Sequence, residues 1–205
     1  SARFGEPFVK LYREERELTV ILLVDVSASQ HFGTNEQYKD ELVAEICATL
    51  SISAIRNNDK VGLICFSDRI EAYIPPRKGT KHVLRVIREL LALEPEGRGT
   101  DLAGALEFLG KVQRKRSIVF LVSDLQDRNW QHPLKIANKR HDVVAVSTED
   151  PAESNLQNVG LIRMENPETG ETRVIDSSSK RVRQVWSQLA TESRIAVEQT
   201  LRRCK

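Results

Sequence analysis

The chain has 205 residues, enough for one domain with a full core and too few for two comfortable ones. Hydrophobic residues make up 40% and charged residues 29%, an ordinary balance for a globular protein. Lys plus Arg number 31 against 29 Asp plus Glu, a net charge of +2 with the basic residues scattered, which argues against a nucleic-acid partner.

In chain order, residues 1–17 are mixed and charged and read as a lead-in from a preceding region, leaving residues 18–205 as the domain. Leu18–Val24 carries no charge and suits a strand covered on both faces. Asp25, Ser27 and Ser29 follow at every second position, hard oxygen donors leaving a buried strand. A capping box of Thr34 and Gln37 opens a helix to about Arg56, with Leu42, Val43, Ile46, Cys47 and Leu50 on one face. Asn57-Asn58-Asp59 closes it as a turn. Val61–Phe66 is a second buried strand. Arg69–Ile74 alternates polar and apolar residues, as an antiparallel edge strand would, and Pro75-Pro76 is expected to end it. Thr80 is placed as the cap of a helix to about Leu93, with Val83, Leu84, Ile87, Leu90 and Leu91 facing inward.

Glu94–Asp101 is a loop rich in turn residues, and the helix after it turns Leu102, Ala105, Leu106, Leu109 and Val112 inward. Thr100 is a candidate cap for that helix. Ser117–Ser123 is a further uncharged strand, ended by Asp124. Leu125–Asn129 is a loop, Trp130–Arg140 a short helix, Asp142–Ser147 a strand and Pro151–Asn158 a surface loop. Val159–Met164 and Thr172–Ile175 flank a hairpin turn. The last helix, Ser179–Leu201, presents Val182, Val185, Trp186, Leu189, Ala196 and Val197 to the core. Strands alternating with helices predict a three-layer α/β/α, doubly wound and mostly parallel sheet with one antiparallel edge strand.

Cys47, Cys65 and Cys204 lack Cys-x-x-Cys spacing, so no disulfide framework is expected. No apolar run approaches the roughly 20 residues of a membrane span. The expectation is a cytoplasmic segment without membrane contact, with tethering of the parent chain left open. His82, His132 and His141 have no metal-ligand spacing, while His31 and Arg98 read as exposed and Trp130 as packed on a helix face.

The carboxyl ends of neighbouring central strands share one edge of such a sheet, so the Asp25 turn, Thr100 and Asp124 can converge there. Two carboxylates close together repel, and a divalent cation removes that cost. Mg²⁺ takes about six oxygens and usually keeps some waters.

Asp-Val-Ser-Ala-Ser at 25–29, Thr100 in a Gly-x-Gly-Thr loop and Ser123-Asp124 resemble the complete metal-ion-dependent adhesion site of a von Willebrand factor A domain. Glu14–Val20, Phe32-Gly-Thr34, Val61-Gly-Leu63 with Phe66-Ser-Asp68, Leu93–Asp101 and Arg140–Val146 resemble the pattern of one bacterial branch, the DUF58 proteins. The resemblance implies that Ser27, Ser29 and Thr100 ligate a metal through hydroxyls, with Asp25 and Asp124 bound directly or through water. The ion would be Mg²⁺, with Mn²⁺ or Ca²⁺ as substitutes, and a partner's acidic side chain would complete its shell. The resemblance further implies a non-enzymatic adaptor that works with a MoxR-type AAA+ ATPase. One departure stands out: Leu125 occupies a position where Gly often follows the final Asp.

The competing expectation is a Mg²⁺-dependent phosphatase-like hydrolase with Asp25 as nucleophile. That chemistry wants a second acid two residues on, where this chain has Ser27.

Overall fold

The computed structural model describes residues 17–31, 39–166 and 170–204. Residues 1–16 of the lead-in, the Thr34–Gln37 capping box, the Phe32-Gly-Thr34 motif and the His31 side chain lie outside the described residues.

The centre is a five-stranded sheet of β1 (Thr19–Asp25), β2 (Lys60–Phe66), β3 (Ile70–Arg77), β4 (Ile118–Ser123) and β5 (Asp142–Ser147). Its order is β3-β2-β1-β4-β5, parallel throughout except for β3, which runs antiparallel to β2. The uncharged run at 19–24 takes the middle because only there are both strand faces covered. Alternate β1 side chains go to opposite layers. Ile21 and Leu23 join Leu102, Leu109 and Leu134 in one core. Val20, Leu22 and Val24 join Val43, Cys47, Val83 and Val86 in the other.

Helices α1 (Lys39–Arg56) and α2 (Thr80–Ala92) cover the second face, and α3 (Leu102–Val112) and α4 (Gln131–Arg140) the first. The C-terminal α6 (Lys180–Arg203) packs Val197 and Leu201 against the first core, and Trp186 donates from Nε1 to the Glu153 carbonyl at 2.8 Å. A separate antiparallel hairpin joins β6 (Leu161–Glu165) and β7 (Thr172–Asp176). The three-layer, mostly parallel arrangement with one antiparallel edge strand is therefore the observed architecture.

Several local expectations are corrected. Pro75 and Pro76 lie inside β3 rather than ending it. An edge strand tolerates them because one side of its ladder has no partner, and the register shifts between Val61 and Leu63 opposite the pair. Gly79, not Thr80, is the residue before α2, and no side chain caps that helix. Val86 takes a buried position on α2, and Leu84 and Leu91 are exposed rather than facing inward. In α6, Val185, Leu189 and Ala196 face outward. Pro151–Ser154 forms a helical turn, α5, within the expected loop. Lys39, at the start of α1, is buried and ion-paired with Glu153 of that turn.

Cys47, Cys65 and Cys204 are all buried thiols. Burial pushes Cys47 up to about 12 and Cys65 higher still, so neither is a ready nucleophile. No helix among the described residues is long and apolar enough to cross a membrane.

Candidate metal centre

β1 ends at Asp25 because its neighbours stop pairing there. The Val26 N–H still reaches the Phe66 carbonyl at 2.8 Å, and then the chain turns. Asp25 is 1% exposed and Ser27 is fully buried. The Ser27 N–H donates to Asp25 Oδ1 at 3.0 Å, an Asx turn that aims the carboxylate across the end of the strand. The Ser27 and Ser29 hydroxyls lie 3.0 Å apart. These three predicted site residues are in direct contact.

The Ser123 hydroxyl, at the end of β4, donates to Asp25 Oδ2 at 2.7 Å. Asp124 is next along, 8% exposed, and its Oδ1 accepts from Gln126 N–H at 3.1 Å. The two acids are close enough to interact. Burial first, and the Asp124 charge as a lesser cause, push Asp25 up to about 6, against the lowering effect of its hydrogen bonds to Ser27 and Ser123. Among the described residues no Lys, Arg or His forms an ion pair with either acid.

The loop that carries Thr100 is fastened to the same edge. The Arg98 carbonyl accepts from Ala28 N–H at 3.1 Å, and Asp101 N–H donates to the Ser67 carbonyl at 2.8 Å. Thr100 thus stands between two anchors, one on the Asp25 turn and one on the β2–β3 turn. Asp101, not Thr100, caps α3, accepting from Gly104 N–H at 2.8 Å. Asp127 from the loop after β4 accepts from Leu102 N–H at 2.8 Å and ties the Asp124 loop to the Thr100 loop.

Gly97 makes this close approach possible. A Cβ there would sit 2.2 Å from Ser67 Oγ and 2.3 Å from Asp68 Oδ1. Its N–H donates to Glu71 Oε1 at 2.8 Å. Gly97→Ala should cost about 1–3 kcal/mol, because the buried Ser67 has nowhere to go. Gly99→Ala, whose Cβ would meet nothing nearer than 3.6 Å, should cost clearly less in the same urea titration.

Leu125 has φ 58 and is 1% exposed. The left-handed backbone costs a branched residue about 1–2 kcal/mol. Burying its side chain in the first core contributes a similar or larger amount. That backbone explains why glycine suits this position, and the buried leucine holds the Asp124 loop down where glycine would leave it looser.

Asp127 and Glu71 are supporting residues that sequence spacing does not single out, and Ser123, part of the Ser123-Asp124 motif, gains its role only through its bond to Asp25. Trp130 is buried, as expected, with Nε1 donating to the Asp127 carbonyl at 3.0 Å. His141 is buried with both ring nitrogens unpaired, and burial pushes its pKa down, so it is a neutral core residue.

Among the described residues no three His, Cys, Asp or Glu side chains cluster closely enough to hold a metal by themselves. Any ion at this edge therefore depends on hydroxyl donors. Asp25, Asp124, Ser27, Ser29 and Thr100 are all-oxygen donors, and the buried, mutually repelling acids gain most from a hard divalent cation.

Known structures share this fold. An aerotolerance-related membrane protein of Bacteroides fragilis superposes with a TM-score of 0.58 at 16% identity, covering 84% of this chain and 86% of its own. The conserved hypothetical protein BatB of Bacteroides thetaiotaomicron gives 0.55 at 16% identity, covering 91% and 98%. These are von Willebrand factor A-like folds. An uncharacterized protein of Mycobacterium tuberculosis is 30% identical over 207 residues, and one of Mycobacterium avium is 31% identical over 134 residues, covering 64% of this chain and 79% of its own length. The M. tuberculosis match covers all of this chain, which spans 65% of that relative's length. The family described as protein of unknown function DUF58 matches residues 1–196, and this chain belongs to it.

Proposed function

We propose that the chain is a metal-dependent protein–protein interaction module of the adhesion-site type. Mg²⁺ is held by Ser27, Ser29 and Thr100, with Asp25 and Asp124 bound directly or through water. The observation that carries the reading is Asp25. It is a carboxyl at the end of the central strand, 1% exposed, whose partners are two hydroxyl-bearing turns and a second acid rather than a base. Neutral hydroxyls leave the cation electrophilic, which suits capture of an acidic side chain from a protein partner.

The cation supplies a Lewis-acidic point for that acid. The chain's own residues do the rest: the Asx turn aims Asp25, Ser123 fixes its second oxygen, and Asp127 holds the loops together. The module acts without catalysis of its own. A phosphatase-like reaction at Asp25 would need a general acid two residues on, and Ser27 there is buried and bonded to Ser29.

The partner suggested by the family resemblance is a MoxR-type AAA+ ATPase, with the chain as adaptor in complex assembly or maturation. A pull-down with the purified ATPase, run with the wild type and with Asp124→Ala, tests this. Capture by the wild type in Mg²⁺, lost in EDTA and lost in the variant, is the expected result. Equal capture in EDTA overturns the metal-dependent reading.

A further inference from the structure

A cleft of about 180 Å³ opens beside the candidate metal centre, between α1 and α2. Asp25 and Val26 are among its lining residues, so it lies against the end of β1 where the candidate site begins. Its walls are apolar: Val43 and Ala44 from α1, Leu90 and Leu91 from α2, with Leu93 and Pro95 beyond. The volume is comparable to the cavity of about 150 Å³ that accommodates a benzene ring, hence enough for one leucine- or phenylalanine-sized side chain.

Two observations say what the cleft is built for. Leu91 is 66% exposed although the helical pattern of α2 offers inward positions, so an apolar wall faces solvent next to a polar site. The rim is acidic, with Asp40 and Glu41 in the first turn of α1. Glu41 is exposed and has no cation partner among the described residues. An acidic tail would be repelled from such a rim.

We infer that the partner segment presents three side chains within a few residues: an acid for the cation, an apolar residue for the α1–α2 cleft, and a Lys or Arg for Glu41 at the rim. This rests on the metal-dependent reading and narrows its partner to a mixed-charge, apolar-containing segment rather than an acidic one. The apolar side chain supplies burial, and the base supplies charge complementarity that discriminates against acidic tails.

The test uses a random nonapeptide library fixed at a central Glu, selected on immobilised protein in Mg²⁺. Selected peptides should be enriched at least threefold in Leu, Ile, Met or Phe, and in Lys or Arg, within three residues of the Glu. Leu91→Asp should erase the apolar preference, and Glu41→Lys should reverse the basic one. Both positions are exposed, and melting curves verify that the variants fold. No selection at all, enrichment of acidic residues, or preferences unchanged in both variants overturns the inference. Self-association of the free protein that Leu91→Asp abolishes gives the cleft to a second copy and overturns it too. Calorimetric titration of the wild type with Mg²⁺ separates the two levels. Heat of binding without peptide preference sinks only the inference, whereas no heat sinks the metal-dependent reading beneath it.

Discussion

Asp25→Asn is expected to abolish the rise in melting temperature that Mg²⁺ gives the wild type, and to make the cation-free protein more stable than wild type at pH 7.5. The two effects have one cause. The native fold raises Asp25 from the ordinary 3.8 to about 6, chiefly by burial. At pH 7.5 the group is ionised, and holding that charge in the fold costs about 3 kcal/mol relative to the unfolded chain. Asparagine has the same shape without the charge. It keeps the acceptor for Ser27 N–H but offers a donor where the Ser123 hydroxyl now donates, a mismatch worth about 1 kcal/mol. The net gain is about 1–2 kcal/mol, a rise of roughly 2–8 °C for a domain of this size. A cation at 100 times its dissociation constant adds about 2.7 kcal/mol to the wild type, a rise of roughly 5–10 °C, and nothing to the variant. Thermal unfolding of both proteins in EDTA and in Mg²⁺ measures all four values. A variant that melts below wild type in EDTA, or that still responds to Mg²⁺, contradicts the account.

The strands at the centre were legible because burial on both faces leaves a one-dimensional trace. Runs such as Ile21–Val24 and Val119–Val122 are uncharged, short and rich in β-branched residues, as strands covered on both faces require. Helix faces were less legible. Helical spacing identifies a stripe but not which stripe is covered. In α2 the covered stripe is Val83, Val86, Ile87 and Leu90, which leaves Leu84 and Leu91 outside. In α6 the cover is partial, so Val185 and Leu189 face solvent despite their spacing. The residues of the candidate site can be proposed from the sequence because Asp25, Ser27 and Ser29 sit in one turn and a family pattern adds Thr100 and Asp124. What holds them was not readable. Ser123 lies 98 residues from Asp25 and meets it only because β4 pairs directly with β1. The cap of α3 is Asp101 rather than the candidate Thr100, since the two are adjacent and both types cap well. Leu125 was flagged by the resemblance, but its left-handed backbone and buried side chain are tertiary facts.

Proton and cation should compete for the same carboxyl, so apparent Mg²⁺ affinity should be flat above pH 7 and fall about tenfold per unit below pH 6. Titration at pH 5 should also release close to one proton per cation bound, visible as a dependence of the heat on the buffer's ionisation enthalpy. The cation-free protein should show the opposite trend. Because the native state holds the Asp25 proton more tightly than the unfolded chain does, it carries more protons between about pH 4 and pH 6. The contribution of this group is therefore most favourable at low pH and is lost as pH rises through about 6. This is the reverse of a carboxylate stabilised by a basic partner. Subtracting the stability of Asp25→Asn at each pH isolates the group from the rest of the chain's titration. The difference between wild type and variant should move against the wild type by about 2.5 kcal/mol from pH 4 to pH 7.5 in EDTA. With saturating Mg²⁺ the wild type should gain stability over the same range, because the ion then takes the place of the proton. A difference that is flat in EDTA would mean that Asp25 is already stabilised as an anion without a metal, and the physical reason for a cation at this edge would be gone.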